Sequence, residues 1–253
     1  MPLASTSARL AAAFGLLIAS QAGAQNAPVR VLVSNGVRTV VEELKPRCEQ
    51  VIGHPLAIEF GTTAGLIQKI ESGAAFDAAL LTSEAIDSLV KESRIAGPGV
   101  PLARCGIGVG IRSGAPKPDV RTPDTLKHTL RDSKSIAYAG NGASRAYIDK
   151  MFDQLGIAAD VKPKILLTDG SIAAGESVAA GQGGLVLTLV SEILPMPGIE
   201  LVGPLPTELQ NYVNFAGGVG AKAKAPDAAA ALIQYFKSSS AAPVYKAKGM
   251  EPR

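Results

Sequence analysis

The sequence has no tryptophan and few aromatic residues of any kind, and this shortage excludes one class of function. Aromatic residues make up 4% of the 253-residue chain, which is too few for the stacking platforms that bind single-stranded nucleic acids. Lysine and arginine number 25 and aspartate and glutamate 22, so the positive excess is too small for a nucleic-acid footprint. We therefore expect no nucleic-acid partner.

Metal-binding and nucleophilic side chains are equally scarce. Cys48 and Cys105 lie far apart and form no CxxC pair, and His54 and His128 stand alone. This spacing does not bring together the three or four ligands of a zinc or iron site, so we expect no metal and no cofactor. The two cysteines could form a disulfide or remain buried thiols, and the sequence leaves both open.

The motifs of common enzymes are missing as well. The chain has no GxxxxGK[ST] loop, and its alternating glycines at Gly106–Gly110 lie within a predicted strand, whereas a dinucleotide loop joins a strand to a helix. Ser144 lacks the second glycine of a GxSxG elbow. We expect the acidic residues Asp77, Glu84 and Glu176 to be solvated or structural.

The first 24 residues resemble a secretory signal peptide. Arg9 precedes the apolar run Leu10–Ala19, and the small-residue pattern Ala22-Gly23-Ala24 follows. The apolar run is shorter than the roughly 20 residues that span a bilayer, although an N-terminal membrane anchor is the alternative. We expect cleavage after Ala24 and a periplasmic protein.

Strand-like and helix-like patterns alternate along the rest of the chain, which predicts an α/β fold with mainly parallel sheets. The apolar run Val29–Ser34 predicts a buried strand, and a helical pattern from Val37 to Val51 follows, which Pro46 should kink or shorten. Further strands are predicted at Leu56–Phe60, Phe76–Leu81, Cys105–Ile111, Ser135–Tyr138, Lys164–Leu167, Leu185–Leu189 and Val213–Gly220. Further helices are predicted at Thr63–Gly73, Ser83–Ser93, Pro123–Ser133, Arg145–Leu155, Gly170–Ala180 and Pro226–Lys237.

Two lobes fit this pattern better than one long sheet. We expect residues 25–104 and 216–253 to form lobe I and residues 105–215 to form lobe II. The chain should cross between them near Ala103–Ile107 and Asn211–Gly218, where glycines allow a strand to bend. Ordinary buried strands are the alternative for these glycines.

Four small polar turns each follow a predicted strand and open a predicted helix. They are Ser34-Asn35-Gly36, Gly61-Thr62-Thr63, Gly142-Ala143-Ser144 and Asp169-Gly170-Ser171. Such turns meet at the carboxyl edge of a parallel sheet, and their hydroxyls and free helix-terminal amides can bind an anion. The simpler alternative is that Ser, Thr and Asn only cap the helices.

The stretch from Phe60 to Leu89 resembles the first-lobe signature of periplasmic molybdate-binding proteins. That family typically shows a phenylalanine, a glycine–serine turn, a helix ending in Q-I-E-x-G and then A-D-V-F-x-S. Here Ile70-Glu71-Ser72-Gly73 and Phe76-Asp77 stand at the matching places. The segments LARCGIGVGIRSGAP, LPTELQNYVNFAGGV and KGMEP extend a thinner similarity along the rest of the mature chain.

This resemblance implies a two-lobed type II periplasmic binding protein, which closes on a ligand and serves an ATP-driven importer. It also implies positions for the ligand groups. The second-turn hydroxyl falls on Thr63 beside Thr62, and the first-turn serine falls on Gly36, close to Ser34 and Asn35. The second-lobe donors fall on Ala143 or Ser144 and on Ser171, and the family tyrosine, which the family shows in a strand-end V-Y-x-T-D pattern, falls on Leu189. The departures at Gly36 and Leu189 weaken the expectation of molybdate as the ligand.

Two arginines stand near the predicted turns. Arg38 lies one turn into the first helix and Arg145 begins another, and the planar guanidinium suits a carboxylate. If both face the cleft, an organic anion is favoured over a tetrahedral oxyanion; the alternative is that both point to solvent.

Two functions remain open from the sequence. The first is a monomeric binding protein for a small anion, partnered by the membrane permease of an ABC importer. The second follows from the resemblance, which extends to an aconitate isomerase of the same family. Its proton shift would need carboxylate clamps, for which Arg38 and Arg145 are candidates, and a base. Tyr147, Tyr212 and Glu176 are candidate bases.

Overall fold

A computed structural model describes residues 27–253, so the predicted signal peptide at residues 1–24 lies outside the described residues. The strands are β1 Val29–Ser34, β2 Leu56–Gly61, β3 Ala78–Thr82, β4 Ile95–Arg112, β5 Ile136–Ala139, β6 Ile165–Thr168, β7 Leu185–Leu189, β8 Ile199–Pro204, β9 Tyr212–Gly220 and β10 Met250–Pro252. The helices are α1 Arg38–Ile52, α2 Thr63–Glu71, α3 Ser83–Lys91, α4 Pro123–Asp132, α5 Arg145–Gln154, α6 Ala158–Val161, α7 Gly170–Ala179, α8 Val190–Ile193, α9 Pro226–Lys237 and α10 Ala242–Ala247. Short 3-10 turns occupy Asn35–Val37 and Lys162–Lys164.

The strands form two mainly parallel groups that share antiparallel strands at the centre. Their order is β2-β1-β3-β9-β4-β7-β5-β6, with β8 and β10 paired to β4. In the first group β1 runs parallel to β2 and β3, and in the second β5 runs parallel to β6 and β7. Helices connect the parallel strands, as right-handed crossovers require. The predicted α/β class is confirmed: this is the two-lobed fold of type II periplasmic binding proteins.

Strand β4 connects the two groups. Its residues from Ile95 to Gly106 pair with β9, while those from Ile107 onward pair with β7 and β8. The change of partner lies within the segment Ala103–Ile107, where the sequence predicts a crossing. The lobe boundaries themselves stay a proposal.

The elements confirm most of the predicted pattern, with three differences. Helix α1 continues through Pro46 to Ile52, so the prediction that proline shortens it is wrong. Tertiary packing outweighs the local cost of proline here, because Val40, Val41, Leu44 and Cys48 are all buried on one face. The predicted strand Cys105–Ile111 starts earlier, at Ile95, and the sequence analysis missed some short elements: strands β8 and β10 and helices α6, α8 and α10.

Both cysteines are buried free thiols. Burial raises the pKa of Cys48 to about 12 and that of Cys105 to about 11, so the two thiols stay protonated at neutral pH. Among residues 27–253, none of the helices combines the length and the apolar character that a bilayer crossing requires.

A buried carboxylate ties the first strand group together. Asp77, next to the start of β3, is 1% exposed. It accepts hydrogen bonds from the backbone and guanidinium of Arg30 at 2.9–3.0 Å and from the Lys224 backbone N–H at 2.6 Å. Burial by itself would raise the pKa of Asp77, but these bonds outweigh it and hold the pKa well below its usual range. The prediction of a structural role for Asp77 is confirmed.

Candidate functional site

The four polar turns meet at one cleft between the two strand groups. Their residues come from the carboxyl ends of β1, β2, β5 and β6, where the topology of an α/β sheet gathers its loops. Seven residues that the sequence predicts for the site line a single small cavity there: Ser34, Asn35, Gly36, Thr62, Thr63, Ala143 and Ser171. Gly142, Leu189 and Glu192 complete its walls. Residues of all four turns therefore lie around one cavity.

The two sides of this cleft are in contact. The hydroxyl of Ser191 donates a hydrogen bond of 2.7 Å to the carbonyl oxygen of Gly36 across it, and a Cβ placed on Gly170 would lie 4.0 Å from the Thr62 methyl group. The small cavity has a volume of about 10 Å³, room for roughly one water molecule. Admission of a larger anion therefore requires the two sides to separate.

Hydroxyls and helix N-termini supply the polar groups of the small cavity. Thr62 caps α2 by accepting a 3.2 Å hydrogen bond from the Gly65 N–H, and the Thr63 hydroxyl donates to the Ser34 hydroxyl at 3.1 Å. Ser34 is the acceptor in this bond, so its own hydroxyl proton is not used in it. Helices α5 and α7 begin without a side-chain cap, so no capping side chain occupies their first N–H groups, and Ala143 before α5 and Ser171 in α7 line the small cavity.

Gly36 and Leu189 occupy the positions where the resemblance implies a serine and a tyrosine. A Cβ on Gly36 would lie 2.9 Å from Cδ1 of Leu189 and 2.4 Å from Cζ of Phe215. The leucine and phenylalanine therefore fill the space that a serine side chain would need, and the two family hydroxyls are replaced here by an apolar contact. The backbone of Gly36 still lines the cavity.

A larger pocket adjoins the small cavity. It has a volume of about 410 Å³ and shares Asn35, Ser171 and Glu192 with the small cavity. The rest of its lining combines charged and polar residues with apolar ones. The charged and polar residues are Arg38, Thr39, Glu42, Glu176 and Ser191, and α7 and the segment after α8 contribute Ile172, Gly175, Ala179, Pro195, Met196 and Pro197. This size and mixture suit an organic ligand of moderate size.

Arg38 stands at the border of the larger pocket. Its guanidinium stacks over the Phe60 ring at 4.2 Å, donates to Asn35 Oδ1 at 3.1 Å and approaches Glu42 to 3.6 Å. Its Nε is buried without a hydrogen-bond partner among residues 27–253. A buried N–H of this kind is costly unless something accepts from it, so Arg38 retains one unused donor.

Glu192 is the site residue that the sequence reasoning missed. It lies in α8, directly after the end of β7, and borders both cavities. Its Oε1 accepts a 3.0 Å hydrogen bond from the Ser171 hydroxyl, and its Oε2 accepts one from Thr188. A signal existed, because Glu192 stands three residues after the family tyrosine position, at the acidic place of the V-Y-x-T-D pattern.

The environment of Glu192 disfavours its charged form. The residue is partly exposed toward the pockets, yet protein atoms crowd the carboxyl group, and this desolvation raises its pKa. Hydrogen bonds from Thr188, Ser171 and the Leu189 backbone, together with the charge of Arg38, act in the opposite direction but do not outweigh the burial. A carboxyl with a raised pKa holds its proton more readily than an exposed glutamate does.

Two of the predicted ligand residues lie elsewhere. Arg145 donates to Asp149 at 2.6 Å, lies 5.4 Å from the centre of the Tyr138 ring, and lines a different cavity with these two residues. Ser144 is buried at the start of α5 and does not border the small cavity. The pairing with Asp149, four residues along the same helix, explains why Arg145 turns away from the cleft.

The three candidate bases also lie in different parts of the structure. Glu176 lines the larger pocket, whereas Tyr212 packs under the guanidinium of Arg104 at 4.0 Å and Tyr147 packs against the hydrophobic core. Within residues 27–253, no cluster of three or more His, Cys, Asp or Glu side chains is arranged to hold a metal ion.

Comparison with known proteins identifies relatives along the whole described chain. Residues 29–251 match the family described as bacterial extracellular solute-binding protein. The chain is 30% identical over 229 residues to an aconitate isomerase from a Pseudomonas species, covering 88% of this chain and 87% of that protein. It is 26% identical over 234 residues to the molybdate-binding protein ModA of Azotobacter vinelandii, covering 89% and 90%.

A solved structure shares the fold. The periplasmic molybdate-binding protein of Azotobacter vinelandii superimposes with a TM-score of 0.75 at 15% identity, covering 88% of this chain and 98% of that one. At that identity the superposition establishes the common two-lobed architecture.

Proposed function

Because the chain belongs to the family of bacterial extracellular solute-binding proteins, we propose that it binds a small organic anion between its two lobes. The observation that carries this proposal is the convergence of polar turns from both halves on one cavity. Closure of two lobes on a ligand needs donors from both sides, and these turns supply them. In this role the protein works in the periplasm and passes its ligand to the membrane permease of an ATP-driven importer.

The adjoining pocket favours an organic carboxylate over a tetrahedral metal oxyanion. The small cavity and the 410 Å³ pocket share Asn35, Ser171 and Glu192, so a ligand can place a carboxylate at the turns and its carbon skeleton in the pocket. The unused donor of Arg38 at the border suits a second carboxylate. The apolar contact at Gly36 removes hydroxyls that a compact oxyanion would use.

Each turn has a role in this proposal. The hydroxyl of Ser34, which the Thr63 hydroxyl orients, and the amide of Asn35 donate from the first half, and the backbone N–H groups at Ala143 and Ser171 donate from the second. Thr62 shapes the turn by capping α2. Loss of one such donor should cost about 1–3 kcal/mol of binding free energy.

Thermal unfolding with a panel of anions tests the proposal. We expect trans-aconitate or citrate to raise the melting temperature more than molybdate or sulfate does. A ligand at 100 times its dissociation constant stabilises by about 2.7 kcal/mol, which is roughly 5–10 °C for a chain of this size. Thr63→Val should reduce the shift, and the exposed Thr207→Val should not. If no anion of the panel changes the melting temperature, the proposal is wrong.

A second function, an isomerase for an unsaturated tricarboxylate, is favoured by the carboxyl of Glu192. A group at the junction of both cavities with a raised pKa can take a proton from one carbon of an allylic unit and return it to another. Identity of 30% to an aconitate isomerase supports the same candidate. Incubation with trans-aconitate, followed by proton NMR for the cis form, separates the two functions. Conversion that is lost in Glu192→Gln would establish the enzyme, whereas tight binding without conversion would exclude it.

A further inference from the structure

The charges that line the two cavities pose a problem for an anion site. Arg38 is the single cationic residue among those lining them in the described part of the chain, while Glu42, Glu176 and Glu192 contribute three carboxyl groups. Arg38 is itself within 3.6 Å of Glu42. With all three acids ionised, a bound anion would meet a net negative wall.

Glu192 is the acid that stands nearest to the proposed anion position. It alone of the three borders the small cavity as well as the larger pocket. The groups that face it come from every neighbouring element. Arg38 and Glu42 belong to α1, Ser171 and Glu176 to α7, Thr188 to β7 and Cys105 to β4. Its hydrogen bonds come from the Ser171 and Thr188 hydroxyls and the Leu189 backbone, so within residues 27–253 no cation is hydrogen-bonded to this carboxylate.

We propose that anion binding is coupled to the uptake of one proton by Glu192. The inference rests on the proposed function of the cleft as an anion site. The proton comes from solvent and joins one carboxylate oxygen, so that an anion and a proton bind together and the site gains no net negative charge from a monovalent ligand group.

Protonation also releases donors toward the ligand. In the ionised state the Ser171 hydroxyl is held by Oε1 of Glu192 at 3.0 Å. A protonated carboxyl can instead donate to the Ser171 oxygen, and the Ser171 O–H then turns into the small cavity, which it lines.

The electrostatics of the ligand-free site act in the same direction. Desolvation already raises the pKa of Glu192 against the opposing effect of its hydrogen bonds and of Arg38. A ligand carboxylate nearby adds a like charge and excludes water, and both changes raise the pKa further. Binding therefore favours the protonated form whenever the anion enters the small cavity.

Titration calorimetry in buffers of different ionisation enthalpy measures this proton directly. We use trans-aconitate as the first probe and sulfate as the second, because both are fully ionised at pH 7.5 and bring no proton of their own. At a pH at which the free carboxyl is ionised, the expected result is uptake of about one proton per ligand and a dissociation constant that rises about tenfold per pH unit. Glu192→Gln should bind with no proton uptake and with a dissociation constant that is flat in pH.

A matched control comes from an acid outside both cavities. Glu84 is exposed in the first turn of α3, so Glu84→Gln removes the same charge and should retain the proton uptake of the unaltered chain. If the unaltered protein binds a probe without proton uptake, the inference is wrong but the proposed function stands. Uptake that persists in Glu192→Gln, or folded Glu192→Gln that no longer binds, also overturns it. Absence of binding for every probe overturns the proposed function and the inference with it.

Carbon NMR provides a test that needs no variant. The Glu192 carboxyl resonance, assigned through the backbone of Ser191 and Ile193, should move to the protonated position when trans-aconitate is added at pH 7.5. A resonance that stays at the ionised position in the ligand-bound protein contradicts the proposal, even if Glu192→Gln fails to fold.

Discussion

Replacement of Gly36 by alanine tests why this chain lacks the serine that its relatives imply. The added Cβ would lie 2.4 Å from Phe215 Cζ and 2.9 Å from Leu189 Cδ1, closer than carbon atoms approach. Phe215 and Leu189 are each 1% exposed, so neither can move into solvent. Overpacking of this kind costs about 1–3 kcal/mol, and 2 kcal/mol corresponds to a fall of roughly 4–8 °C in melting temperature for a chain of this size.

Chemical and thermal unfolding of four variants measure the effect. Gly36→Ala should lose about 2 kcal/mol, and the control Gly203→Ala should change little, because its Cβ would meet its nearest atom, a Val120 methyl, at 3.7 Å. Phe215→Leu removes the ring atoms that clash, so the double variant with Gly36→Ala should lose less than the two single losses together. A fully stable Gly36→Ala, or strictly additive losses, would refute the steric reasoning.

Three further predictions concern the charged groups. Asp77→Asn should lose about 2–3 kcal/mol of unfolding free energy at pH 7. The hydrogen bonds from Arg30 lower the pKa of Asp77 in the folded protein, so their stabilisation is present above about pH 4 and is lost as the pH falls below it. Acid unfolding of the unaltered chain, monitored by circular dichroism, should therefore begin at a higher pH than its stability at pH 7 suggests, and this pH dependence should be smaller in the variant. In the ligand-free protein the pKa of Glu192 is raised, so the free energy of unfolding should fall as the pH rises above about 4.3. Glu192→Gln should therefore be more stable than the unaltered chain at pH 8 in denaturant titrations. Equal stability of the two chains at that pH would contradict the raised pKa. Arg38→Met, which keeps apolar contact with Phe60, should weaken organic-anion binding about ten- to hundredfold in calorimetry, whereas Arg121→Met on the surface should not.

The architecture was predictable because it depends on patterns of several residues. The apolar runs at Val29–Ser34 and Leu185–Leu189 and the helix Pro226–Lys237 match the structure residue for residue. The spacing of apolar residues and the content of β-branched residues are local properties of the sequence. The topology of an α/β sheet then places the turns at one edge of the sheet. For that reason eight residues of the predicted turns line one cavity.

The errors come from choices that the local sequence does not determine. Arg145 could have faced the cleft or the Asp149 side chain, and the i,i+4 ion pair decided. Pro46 carries a local signal to end a helix, but the buried face of α1 overrides it. The place of Glu192 after the family tyrosine position was a weak signal, because the environment that gives it a role is assembled from Ser171 and Arg38, which are remote in sequence.

The end of β7 carries three side chains on which the proposed choice of ligand depends. Leu189 closes the space beside Gly36, Ser191 bonds across the cleft to the Gly36 carbonyl, and Glu192 brings a carboxyl to the wall of both cavities. These three side chains lie within four residues, so a few substitutions in one turn can exchange a hydroxyl-lined anion site for one that also handles a proton. The scaffold leaves both chemistries open, because helix N-termini and turn hydroxyls supply anion binding in either case. It follows that exchange of this turn, together with the Gly36 position, should alter ligand choice while the fold is retained.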